Sequence, residues 1–177
     1  MKLPYFLSKP LITLPLAGAF LFASQAPTEW ATSEYWPASA VAFISALFPT
    51  ILGYSKNSAF PDIAQMYMSF TFMLMPLHIW FSYKELSISR DEVWFKNLWS
   101  LDSNWAFIKR LLLVITICAI VIFTLFFNPG YDFNLMPLNS SRTALGIGGW
   151  IVAGGLQGSC IAWVYCNLIV FIRFFKE

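Results

Sequence analysis

The residues able to carry chemistry are few, and their spacing narrows what they could do. His78 is the only histidine, set in an apolar stretch two residues before Trp80. An ionisable group in such a stretch suggests proton sensing or gating, although one helical turn from a polar boundary it could equally satisfy itself with water or a carbonyl. Ser159 with His78 would form a hydrolase dyad only if base and nucleophile came within hydrogen-bond reach, and the sequence offers no third orienting group and no second histidine. Met66, Met68, Met73 and Met75 are soft potential ligands, but thioethers at helical spacing serve first as adaptable packing. Cys118, Cys160 and Cys166 are odd in number and lie in apolar runs, which argues against a disulfide framework or a zinc site. No P-loop, GxGxxG, HExxH, CxxC or paired-carboxylate motif occurs. The expectation is a protein that is not an enzyme and uses no cofactor or metal, with His78 as its candidate gating or sensing residue.

Composition says what must position these groups. At 58% hydrophobic and 11% charged residues, against roughly 25% charged in an average soluble domain, the chain lacks the polar surface to coat a globule in water. The expected fold is an all-α integral membrane protein, a single polytopic domain over residues 1–177. Its apolar segments fall at about 10–28, 36–54, 62–83, 104–128 and 143–175, each compared with the roughly 20 residues that cross a bilayer as a helix. The net charge of +2 comes from Lys and Arg beside apolar runs. It reads as a topology signal rather than a nucleic-acid footprint, so the bilayer is the first partner and direct nucleic-acid binding is not expected.

Met1 to Ala26 has the layout of a secretory signal, with Lys2 and Lys9 before an apolar core, and is read as an uncleaved anchor entered from the cytoplasm. Glu29, Glu34, Trp30 and Trp36 follow in a stretch free of Lys and Arg, suited to an external loop. Residues 36–54 are short and interrupted by Pro49, at the lower limit for a span. Asp62 and Gln65 have the spacing of a capping box ahead of a helix that contains Pro76. The loop from Asn128 to Arg142 is rich in turn formers.

Residues 84–110 form the one sizeable segment too polar for a bilayer. They carry Lys84, Arg90, Lys96, Lys109 and Arg110. Trp94, Leu98, Leu101, Trp105 and Ile108 recur at spacings of three and four, which predicts an amphipathic interfacial helix on the cytoplasmic side. Aromatic and basic side chains are also what protein-docking hot spots are made of, so Arg90, Trp94, Lys96, Trp99 and Trp105 are the candidate contacts for a cytoplasmic protein.

In the last segment Trp150, Gly154, Gly158, Ala162 and Cys166 recur every fourth residue. Gly154, Gly158 and Ala162 give a strip that lets another helix approach closely, within the chain or between copies of a homo-oligomer. Gln157 beside it could bond to a neighbouring helix.

Orientation follows from the basic residues. With four spans and both termini in the cytoplasm, Lys2, Lys9, Lys84, Arg90, Lys96, Lys109, Arg110, Arg173 and Lys176 lie inside, and only Lys56 and Arg142 outside. Five spans give a poorer ratio in either orientation. The four-span solution requires 36–54 to be re-entrant or interfacial; a fifth span there is the alternative. This pattern favours a non-enzymatic inner-membrane subunit that oligomerises and recruits or signals to a cytoplasmic effector. An oligomeric ion channel or pore, and an immunity or inhibitor protein against a membrane-active toxin, are the alternatives. In length, span count, cytoplasmic termini and an inner loop at Lys84 to Arg110, the chain resembles the small four-span membrane subunit of the Kiwa antiphage defence system. That resemblance implies an oligomeric sensor of phage attack that holds an effector at the inner membrane.

Overall fold

A computed structural model of the chain describes residues 10–27, 38–88, 104–132 and 136–174. Apart from short connections the described residues are helical, with no strand among them. Helix α1 covers Pro10–Gln25, α2 Ala38–Leu47, α3 Pro49–Asn57, α4 Pro61–Met73, α5 Met75–Ile88, α6 Asn104–Phe126 and α7 Arg142–Trp150; a π turn at Ile151–Gly155 leads into α8, Leu156–Phe174.

Three of the expected apolar segments are broken, each for a local reason. Pro49 has no amide to donate, and Phe48 before it is extended at φ −120° and ψ 93°, so the segment 36–54 becomes two short helices. Pro76 removes a donor in the same way, and the segment 62–83 divides at Leu74 and runs on to Ile88. In the last segment Gly154 adopts φ +105°, a conformation that a side chain resists, and the helix kinks there. The segment begins at Arg142 rather than Thr143, because the Ser141 side chain caps it by accepting from the Ala144 amide. The expected Asp62–Gln65 box does not form. Pro61 takes the first helical position behind Phe60, which places Asp62 inside the first turn, and Gln65 instead donates to Ser45 Oγ at 3.1 Å.

Helix α4 is the centre of the larger core. Its Ile63, Ala64, Tyr67, Met68 and Phe72 are buried with Ala19 and Ala23 of α1, Ile51 and Tyr54 of α3, and Leu138, Leu145 and Val152. Beyond the breaks, α5 packs along α8, and α8 packs along α6. Because α4 meets α7 and the π turn while α5 meets α8, the two broken helices run side by side in one direction and bend at the same level.

Helices α2 and α3 form a hairpin. Ser45 Oγ lies 3.2 Å from Ser69 Oγ, and Phe48 stacks on Phe72 at 4.1 Å, which marks the deepest point. The chain then returns, and Ser55 Oγ donates to Pro61 O at 3.2 Å at the start of α4. Residues 38–57 therefore enter and leave at the end of the bundle where α4 begins.

Among the described residues, two helices are long and apolar enough to cross a membrane: Trp105–Phe126, and Arg142–Ile169 taken across its kink. Within the first, only 17% of the most apolar window is buried. Leu112, Leu113, Ile117, Ile120 and Phe123 point outward together. A soluble monomer seldom exposes so much contiguous apolar surface.

Candidate functional site

The kink in the last helix interrupts its regular hydrogen bonding, and a side chain reaches a carbonyl at the bend. Gln157 Nε2 donates to Val152 O at 3.2 Å, within its own segment rather than across to another helix. Ser159 Oγ donates to Gly155 O at 3.1 Å. Ser82 Oγ of α5 lies 3.1 Å from Ser159 Oγ. Since the one Ser159 hydrogen is committed to Gly155, Ser82 is the donor of that pair, and its own lone pairs stay free of it.

Beside these serines, His78 stacks on Trp150 with ring centroids 5.5 Å apart and planes 13° from parallel. His78 is 4% exposed, and its Nε2 has no hydrogen-bond partner. A Cβ on Gly155 would lie 2.2 Å from the Trp150 ring, so only glycine admits the indole here. Together these groups line a cavity of about 230 Å³, with His78, Ser82, Trp150, Gly155, Leu156 and Ser159 in its wall. His78 and Ser159 thus share one cavity, but the Ser159 hydroxyl bonds to Gly155 and Ser82 while His78 Nε2 stands unbonded. The hydrogen bond that a nucleophile–base dyad requires is not made.

The glycine strip lies along α4 and α5 of the same chain. A Cβ on Gly154 would meet Thr71 O at 3.0 Å, and one on Gly158 would meet His78 Cβ at 3.0 Å. Ala162 and Cys166 are buried further along α8, and the Cys160 thiol meets that of Cys118 on α6.

At the end where the hairpin opens, a polar network holds the loop after α6. Asn128 Oδ1 accepts from the amides of Gly130 and Tyr131 at 2.9 and 3.0 Å, the closed turn expected of an Asn-Pro-Gly sequence. Tyr54 donates to Tyr131 O at 3.0 Å, Asn57 Nδ2 to Pro129 O at 2.8 Å, and Asn139 Nδ2 to Gly130 O at 2.6 Å. Burial, reinforced by the Asp132 carboxylate, pushes the Tyr54 phenol up to about 12, so it remains a donor at any physiological pH. Gly53 and Gly130 meet backbone to backbone, with no room for a side chain on either. Arg142 closes the end of α1: its Nε donates to Ala23 O at 2.7 Å, and Nη2 reaches Phe22 O at 3.3 Å and also Ala26 O. A cation on the last carbonyls of a helix complements its dipole.

The opposite end is basic and aromatic. Lys84 Nζ lies 5.0 Å from the Trp80 ring and Lys109 Nζ 5.2 Å from the Trp105 ring, within cation–π range. Of the docking candidates, Trp105 sits on the first turn of α6 and is 63% exposed. Arg90, Trp94, Lys96 and Trp99, with most of the expected interfacial helix, lie outside the described residues.

Sequence reasoning singled out His78, Gly154 and Gly158 but passed over Ser82, Tyr54 and the role of Arg142. The signal for Arg142 was weak: an arginine just inside a helix start, where its own helix dipole disfavours it, serves another helix instead. No family model, no curated protein and no solved structure matches the chain.

Proposed function

We propose that the chain is a four-span inner-membrane protein with both termini in the cytoplasm, acting as a non-enzymatic, oligomeric subunit that recruits or signals to a cytoplasmic effector through residues 84–110. The observation that carries this reading is the contrast between the two ends of the bundle. One end is a tight polar cap in which Arg142 is engaged with α1. The other presents Lys84, Lys109 and Arg110 beside Trp80 and Trp105, the pairing of basic and aromatic side chains that marks a cytoplasmic membrane boundary. The returning hairpin of α2 and α3 supports four spans rather than five, since it gives the segment 36–54 a way to be buried without crossing. A role in sensing phage attack, which the resemblance to the Kiwa membrane subunit implies, belongs to the same reading.

Purification of the tagged chain from its native cells in gentle detergent, with mass spectrometry of what accompanies it, tests the proposal. A stoichiometric soluble companion is the expected result, released when Trp94 and Trp99 are changed to Ala and Lys96 to Glu while the membrane bundle keeps its stability. A bare homo-oligomer would overturn the recruiting role and direct attention to ion flux.

A further inference from the structure

We infer that the cavity between α5 and the kink at the start of α8 is a binding site for a small, ring-sized apolar molecule bearing a hydroxyl group. Three observations converge on it. The His78 ring is 4% exposed yet its Nε2 has no partner, and a buried polar atom left unpaired in an apolar setting is costly. The same wall holds the Ser82 hydroxyl, whose hydrogen goes to Ser159 and whose lone pairs remain acceptors. The remainder is apolar or aromatic, with Trp150 and Ile151 in the wall and Leu156, 41% exposed, at the rim toward the surroundings of the bundle.

Size and chemistry then select the ligand. A cavity of about 150 Å³ accommodates benzene, so one of about 230 Å³ has room for a ring and a substituent. A hydroxyl both accepts and donates, so it can accept from His78 Nε2–H and give its one hydrogen to Ser82 at the same time. A hydrocarbon would leave both unsatisfied, and a charged molecule would find no counter-charge among the wall residues. The inference stands apart from the recruiting role: it concerns what occupies the bundle, not what docks on residues 84–110.

Because His78 is the only histidine, its ring reports alone. The full chain, carrying a tag without histidine and ring-¹⁵N-labelled histidine, is placed in phosphatidylcholine nanodiscs, whose lipid has no hydroxyl, and titrated with phenol and with toluene. Phenol is expected to shift the Nε2 resonance saturably, toluene to give no saturable shift, and S82A to weaken the phenol response at least threefold. An Nε2 resonance that phenol leaves unmoved up to its solubility limit overturns the site. So does an equal saturable response to toluene, or a phenol response indifferent to S82A. A chain that fails here and still brings down a soluble companion loses this site and keeps the proposed recruiting function.

Discussion

Arg142 couples parts of the chain more than a hundred residues apart, because its guanidinium has enough fixed donors to reach several carbonyls at the end of α1. Removing it takes this donor from Ala23 O and Ala26 O, both on buried residues, while Phe22 O keeps the Ala26 amide. R142A is expected to lower stability by about 1–3 kcal/mol, the usual cost of losing hydrogen bonds to a charged group. R142K should recover only part, since an ammonium cannot fork across two carbonyls as a guanidinium does. Thermal unfolding of the purified variants in one detergent checks both. Gly154 makes a second case at this scale. At φ +105° an alanine is strained by about 1–2 kcal/mol, so G154A should lower the melting temperature, whereas G18A, on an open face of α1 with nothing near, should not.

Helices α4 and α5 lie against α7 and α8 with their bends at one level, and the contact beyond the bend rests on small residues. A Cβ at Gly158 already comes within 3.0 Å of His78 Cβ, so the larger G158L side chain must push α5 from α8. Overpacking of this kind costs about 1–3 kcal/mol, and the expected result is a lower melting temperature together with a disturbed His78 resonance. An unchanged protein would contradict the packing described for the strip. How much of this was legible varies with the element. Helix α6 was plain from its unbroken apolar run between Arg110 and Asn128. Pro49 and Pro76 announced interruptions, but a proline reveals only that a donor is missing; it does not say that α3 turns back while α5 continues forward. The glycines after Trp150 read as a packing strip, and they do lie against α4 and α5. Their second use, as the kink, was hidden because close approach and positive φ call for the same residue. Asp62 and Gln65 had the right spacing for a cap, and Pro61 displaced them by one position. The cavity was half visible: His78 stood out by its chemistry, while Ser82 and Trp150 join it only through a tertiary approach that sequence spacing does not encode.

Over the whole molecule, a polar cap at one end and a basic, aromatic boundary at the other enclose a bundle whose α6 exposes nearly all of its apolar length. Charge placement, which needed only the sequence, and the hairpin, which needed the structure, agree in supporting the four-span topology proposed above. That agreement is the central claim, and the labelling of single cysteines with a membrane-impermeant maleimide tests it most directly. The native Cys118, Cys160 and Cys166 are buried and give a quiet background. Ser39, Lys56 and Ser140 are exposed at the two mouths of the hairpin and in the loop before α7, and Lys109 is exposed at the start of α6. In intact cells S39C, K56C and S140C are expected to react from outside, and K109C only after the membrane is opened. Reaction of S39C and K56C from opposite sides would make residues 38–57 a fifth span and contradict the account.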